Sequence, residues 1–387
     1  MIPIRYNLRS LAVRKATTLA TAFGVALVVF VLAAALMLSA GIKKTLSTTG
    51  HDDIAIVLRK GSDAELSSTI DDAQVGLIKS LPGVKQEDGK PIGSGEVVIV
   101  GAMEKIGAPG VTNVAYRGIP DDATKLRPAV RIVAGRQAKA GSDEVVIGQR
   151  IRGRFRGVDL GQSFEIKKGR KVTVVGVFED GGSAYESEVW ADLDTLRTSF
   201  GREGMVSSVR VRLESPAKLD AFQASVEQDK RVGLLAMRES AYYEKQSEGT
   251  SIFIGAIGTL VAAFFSIGAM IGAAITMYAA VANRQREIGT LRALGFSRTS
   301  ILVAFVFESV ILALAGGAVG VLASIALGSV KFSMINFASW SETVFSFDPT
   351  PGVLLSAFAF AGAMGFIGGL FPAVRASRVS PVAAMRG

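Results

Sequence analysis

The sequence predicts a membrane α-helical protein with four transmembrane helices and a large extracytoplasmic α+β domain between spans one and two. Three observations predict it. Four apolar stretches, Thr17–Gly41, Ile252–Ala282, Ile301–Val330 and Val353–Val374, contain no Lys or Arg. Each is long enough to cross a bilayer, which takes ~20 residues. Residues 42–250 have ordinary globular composition, and the basic excess is confined to three short segments outside them.

The first stretch follows Arg5, Arg9, Arg14 and Lys15 and contains Ala33-Ala34-Ala35, as a secretory signal would. A signal's apolar region spans only about 7–15 residues, so an uncleaved anchor is the better reading. The formal net charge of the 387-residue chain is +9. Residues 42–250 nearly balance, with 31 basic and 30 acidic side chains. The excess sits before span one, in the loop with Arg284, Arg286, Arg292 and Arg298, and in the tail with Arg375, Arg378 and Arg386. Four crossings place these segments on one side, and short basic loops stay cytoplasmic. Both termini are therefore expected in the cytoplasm, with residues 42–250 outside. The basicity is a topology signal, and nucleic acid is excluded as a partner.

Residues 3–16 read either as an amphipathic helix on the cytoplasmic face, with Ile4, Leu8 and Leu11 on one side, or as a positive flank. In the outer domain, Ile54–Leu58, Val97–Val100, Glu144–Ile147 and Lys171–Phe178 read as strands. Val206–Leu213 alternates apolar residues with Arg210 and Arg212, the pattern of a half-buried strand. A helix is expected near Thr69–Leu81, stopped by Pro82-Gly83. Another opens at Ser215-Pro216 and runs to about Asp229. The Gly/Pro-rich stretch 89–110 reads as a loop, and Arg150, Arg152, Arg154 and Arg156 as a solvated face. Residues 237–250 are expected as a helical stalk continuous with span two, and Ile42–Leu46 as an outward extension of span one.

The absence of Cys excludes disulfides and thiolate chemistry. His51 is the only histidine and reads as a surface residue, so no metal site or catalytic constellation is expected. No G-x-x-x-x-G-K-[ST] phosphate loop is present. The chain is therefore expected to bind no cofactor and to be a non-catalytic subunit.

The segment NRQREIGTLRALGFSRTSI at 283–301 is helix-compatible, with Ile288, Leu291 and Leu294 on one face and Arg284, Arg286 and Arg292 elsewhere. Gly295 is placed to end it in a left-handed cap. Such a helix either docks in a partner's groove or rests on anionic lipid. Glu308 is the one ionisable residue deep within a span, read as a hydrogen-bonded structural or coupling group. Glycine pairs at 268 and 272, 316 and 320, and 365 and 369 have the spacing that lets helix backbones approach.

REIGTLRALG, followed by an apolar span with Glu308 and Gly316-Gly317, resembles the permease signature of MacB/FtsX-type ABC transporters. FPAVRASRVSPVAAMR, with Pro372, Ala376, Pro381 and Ala384, resembles the family's C-terminal motif. One span, a large outer domain and three clustered spans are also the family's layout. The resemblance implies a pair of permease chains, identical or similar, each docking a cytoplasmic ATPase that binds ATP and Mg. By similarity the docking segment is Arg284–Phe296: Arg284, Arg286, Glu287, Ile288, Leu291, Arg292, Leu294, Gly295 and Phe296. It further implies motion passed to the outer domain and an outer adaptor (membrane-fusion) protein. The implied function is export or extraction, in a bacterial cytoplasmic (inner) membrane. The alternatives are an FtsX-like transmitter controlling a cell-wall hydrolase and a lipoprotein-releasing permease. The expected order is an N-terminal segment 1–16, span one 17–41, outer domain 42–250, span two 251–282 and coupling segment 283–300. Span three 301–330, an outer loop 331–352, span four 353–374 and a cytoplasmic tail 375–387 complete it.

Overall fold

A computed structural model describes residues 15–107, 109–228, 233–337 and 339–380. Residues 3–14 of the expected N-terminal helix, Asp229, and the tail residues Pro381, Ala384 and Arg386 lie outside them. The chain forms two compact units. One contains residues 15–41, 251–330 and 346–380, and the other residues 42–250 and 331–345.

Among the described residues, four helices are long and apolar enough to cross a membrane. Helix α1 is Lys15–Ser47. In the second unit α2 is Asp72–Lys79, α3 Leu193–Phe200 and α4 Leu219–Gln228. Helix α5 is Glu239–Asn283, and α6 is the short Gln285–Ala293. Helix α7 is Arg298–Ile325 and α8 is Pro351–Ser377. Thr350 caps α8, its hydroxyl accepting from the Val353 amide at 3.4 Å, and Pro351 follows where its missing N–H is no loss. Val25, Val29, Leu32 and Ala33 of α1 pack with Ala262, Ala313, Ala357, Ala361 and Met364, so α1 is lined by all three later spans.

The second unit holds a mixed sheet of ten strands among the described residues. Its strands are β1 Ile54–Arg59, then after three two-residue strands (β2 Ile70–Asp71, β3 Gln86–Glu87, β4 Lys90–Pro91) β5 Gly93–Glu104 and β6 Val111–Ile119. Next come β7 Arg131–Gly135, β8 Glu144–Gly148, β9 Ser163–Lys167, β10 Arg170–Glu179 and β11 Glu188–Asp192. Short β12 Met205–Val206 precedes β13 Ser208–Arg212 and β14 Leu234–Arg238. The order is β14-β1-β13-β5-β6-β11-β8-β10-β7, with β9 on β10.

Strand β5 joins the two halves of the sheet. Gly93–Glu96 pairs with β13, and Val97–Glu104 pairs with β6. This corrects the expected loop at 89–110: most of it is the longest strand of the sheet. Its glycines are close-packing positions. A Cβ on Gly101 would sit 2.2 Å from the Tyr116 ring. Arg238 ends β14, so the stalk helix begins at Glu239 and not at 237.

The segment 331–352, expected as a loop, contains a hairpin, β15 Lys331–Asn336 and β16 Ser341–Ser346. Residues 331–345 belong to the α+β unit. Arg154 donates to Glu342 at 2.5 Å and to Ser333 at 2.8 Å, and Lys105 pairs with Glu342 at 2.5 Å. Arg150 donates to the Val344 carbonyl and pairs with Glu186 at 3.2 Å. Only Arg152 and Arg156 of the arginine run match the solvated face expected of all four, pairing with Asp159 and Glu104.

Candidate functional site

The sheet has two differently built faces. Val57, Val97, Ile99, Val209 and Val211 point to one side, where they pack with Ile78, Leu196, Phe222 and Val226 of the three short helices. Period-2 alternation sends their neighbours to the other side. There Arg210 of β13 lies opposite Ser94, Ser208 lies opposite Glu96, and Arg117 of β6 lies opposite Val98 and Trp190.

These residues form a buried ionic network. Arg210 Nε donates to Glu239 Oε1 at 2.7 Å. Its Nη1 donates to Glu65 at 2.8 Å, Glu96 at 3.0 Å and Ser208 at 2.8 Å. Arg117 grips Glu188 with two bonds of 2.7 and 2.8 Å and also reaches Glu65 and Glu96 at 3.0 Å. Arg127 donates to Glu96 at 2.7 Å, with its guanidinium 4.6 Å from the centre of the Tyr185 ring. Arg210 and Glu96 are wholly inaccessible to solvent. Burial alone would raise the Glu96 pKa, but Arg127, Arg210 and Arg117 together hold it at about 2. Burial opposes ionisation of Glu65 as well, and Arg117 and Arg210 keep its carboxyl well below the usual range.

The stalk supplies the lid of this network. Glu239, the first residue of α5, accepts from Arg210, and its other oxygen accepts from the His51 amide at 3.2 Å. Tyr242 OH accepts from the Glu65 amide at 3.1 Å. Tyr243 OH donates to Tyr185 OH at 3.0 Å and accepts from Arg210 at 3.3 Å. The first turn and a half of α5 is thus fastened to β13 through Arg210 and to the segments around residues 51, 65 and 185. The alternation at 206–213 gave the face of Arg210 but not its cover, which comes from residues 65, 185 and 239–243.

In the helical unit, Arg284 and Glu308 meet. Arg284 Nη1 donates to Glu308 Oε2 at 3.4 Å and its Nε to Glu287 at 3.1 Å, and its guanidinium sits 5.6 Å from the Phe305 ring centre. Both partners are buried, as a charged pair facing a helix-bundle interior must be. Arg284 immediately precedes α6, so the pair ties the start of α6 to α7. Ile288 is 1% exposed and, with Leu291 and Phe296, packs on Met277, Val281, Ile301, Phe305, Ala373 and Ala376. Of the Ile288, Leu291 and Leu294 face expected to meet a partner's groove or lipid, the first two are therefore occupied by the chain's own spans. Arg286, Glu287, Thr290 and Leu294 form the open face, with Leu294 73% exposed. Arg292 is half-buried and donates to the Phe296 carbonyl at 3.4 Å. Gly295 has φ +95°, and the Phe296 amide returns to the Leu291 carbonyl at 3.1 Å.

Residues 16–229, over half of the chain, match the MacB-like periplasmic core domain. The chain belongs to the MacB/FtsX-type ABC transporter permease family. Residues 259–381 match the FtsX-like permease C-terminal domain. The permease is 25% identical over 400 residues to the macrolide export ATP-binding/permease protein MacB of Bdellovibrio bacteriovorus, covering 94% of this chain and 57% of that protein. It is 28% identical over 246 residues to an uncharacterised ABC transporter permease of Methanocaldococcus jannaschii, covering 60% of this chain and 59% of that one. The permease thus spans less than two thirds of the length of these two relatives. With the ABC transporter permease YknZ of Bacillus subtilis it shares 26% identity over 350 residues, 85% of this chain and 82% of YknZ. The solved periplasmic region of MacB from Actinobacillus actinomycetemcomitans aligns with a TM-score of 0.39 at 11% identity, covering 53% of this chain and 96% of that one.

Two of the permease's three glycine pairs are used inside its helical unit. A Cβ on Gly316 or Gly320 would lie 2.4 Å from the Ala22 or Ala26 carbonyl oxygen, so α7 and α1 touch backbone to backbone. Gly365 and Gly369 meet α7 at Ala313 and Ser309. Gly268 and Gly272 meet nothing within 4 Å.

Proposed function

We propose that this chain is the permease subunit of an ATP-driven exporter or extractor, carrying ATPase closure to an outer domain that moves substrate from the membrane or periplasm. The observation that supports it most is helix α5. It runs unbroken from Glu239, held on Arg210, to Asn283, one residue before Arg284, held on Glu308. At 1.5 Å per residue its 45 residues extend ~67 Å. In this reading the one continuous helix carries displacement of α6 to the sheet.

In this reading α6 is the coupling helix. Its buried stripe seats it on the permease, and the open face of Arg286, Glu287, Thr290 and Leu294 meets a separate ATPase subunit, which binds ATP and Mg. The chain itself performs no covalent chemistry. The basic segments keep the termini and α6 cytoplasmic. A second permease chain and an outer adaptor complete the assembly.

The test is co-purification with a co-expressed cognate ATPase. Leu294→Asp puts an unpaired carboxylate in the contact at a cost of roughly 3–5 kcal/mol, over a hundredfold in affinity. The ATPase is expected to be lost while the permease still inserts and folds. A full complement of ATPase on Leu294→Asp would remove α6 as the docking element.

A further inference from the structure

The hairpin of β15 and β16 has one covered strand and one open one. Ser341–Phe345 of β16 are all buried, whereas Lys331, Phe332 and Ile335 of β15 are exposed, as are Phe337 and Trp340 beyond it. Trp340 is 58% and Phe337 60% exposed, and their rings meet edge-on at 6.4 Å. Trp340 also adopts φ +51°, an uncommon conformation for a bulky side chain. Apolar groups that meet on the surface, as the Phe337 and Trp340 rings do, form the kind of patch that marks a protein or membrane contact.

We propose that this patch is a lipid anchor, resting in the interfacial layer of the bilayer on the side of the α+β domain. Chain continuity argues for lipid. Val319, Leu322, Ile325 and Val330 are exposed apolar residues of span three and its end, and Phe332 follows Val330 by two residues. At no more than ~3.6 Å per residue, Phe332 cannot stand more than about 7 Å beyond Val330. Chain length therefore tethers the exposed Phe332 to the end of the apolar span.

Side-chain chemistry argues the same way. Tryptophan favours the membrane–water interface, where its ring is buried and its N–H finds a polar partner. The two ionisable residues of 331–346 are Lys331 and Glu342. Glu342 is buried on Arg154 and Lys105, so the exposed charge is that of Lys331, which suits anionic headgroups. The inference rests on the spans crossing a membrane and is independent of ATPase docking or substrate.

The chain has two tryptophans, and Trp190 is 2% exposed. Trp190→Phe therefore leaves Trp340 as the sole reporter. The full-length variant is reconstituted into phosphatidylethanolamine/phosphatidylglycerol vesicles doped with lipid spin-labelled near the headgroup or at the chain end. Trp340 should lose about half its emission to the shallow label and much less to the deep one. If Trp190→Phe fails to fold, wild type is compared with Trp340→Phe, and the shallow-quenched component should vanish in the latter. Emission indifferent to both labels would overturn the proposal. So would shielding of Trp340 from acrylamide without quenching by either lipid, which would mean that protein covers the patch.

Discussion

The two faces of the large sheet come from one set of strands with opposite chemistry. On one, Val209 and Val211 sit among valines, Leu196 and Phe222. On the other, Arg210 sits among Glu65, Glu96 and Glu239. The apolar face holds its helices by area, and a small shift of a helix across it loses little. The ionic face holds the stalk by directed bonds that hold only in one register, because a displaced partner leaves a buried charge unpaired. Under the proposed coupling, movement passed from α5 to the sheet gains more from the second kind of face.

The largest expected effect that separates the faces is that of Arg210→Ala. It strands Glu239 and takes one of the cations from Glu65 and Glu96, which keep Arg117 and Arg127, at a cost of about 3–5 kcal/mol. Leu196→Ala, on the apolar side, should cost roughly 2–5 kcal/mol through its cavity alone. Urea unfolding of the detergent-solubilised chain at two pH values distinguishes them. The Leu196→Ala increment should be the same at both, and the Arg210→Ala increment should shrink in acid. Equal pH dependence of the two variants would erase the contrast.

Acid itself is the next probe. The carboxyl of Glu96 is depressed in the folded state, to about 2 from an unfolded value near 4.5. Such a group contributes stability above its unfolded pKa and loses it as pH falls through the folded one. The domain should therefore weaken progressively from about pH 4.5 down to about pH 2. Glu96 alone would account for roughly 3 kcal/mol, and Glu96→Gln should flatten that part of the profile while lowering stability at neutral pH. A stability curve flat across this window would mean that the carboxylate is not held as the geometry describes.

The smallest effect is expected at the surface. Arg152 pairs with Asp159 at 2.9 Å with both side chains over a third exposed, so Arg152→Ala should cost no more than ~1 kcal/mol and vanish in high salt. A larger loss would show that the arginine run of 150–156 acts as a unit.

The spans were legible because a bilayer demands long uncharged runs whatever surrounds them, and strand positions because Val/Ile alternation is local. Gly93, Gly95 and Gly101 misled the reading of 89–110. Glycine signals a turn in isolation, but here it makes room for Tyr116 and neighbouring backbone. Arg284 and Glu308 each stood out in the sequence, 24 positions apart, but no periodic signal joins residues across the turn between α5 and α7. The hairpin was missed because Lys331–Ser346 is short and its buried strand carries Ser, Glu and Thr.

By itself the sequence determined how many times the chain can cross a membrane, where the globular part lies, which family it joins and which strand residues share a face. These follow from composition and from periods of 2 and 3.6, properties of consecutive residues. Only the tertiary structure decided what covers each face. The cover for Arg210 comes from residues 65, 96, 185, 239 and 243, and the cover for Ile288 from residues 277, 301 and 373. A buried arginine and a solvated one have the same local sequence, because the difference lies in partners brought in from far along the chain.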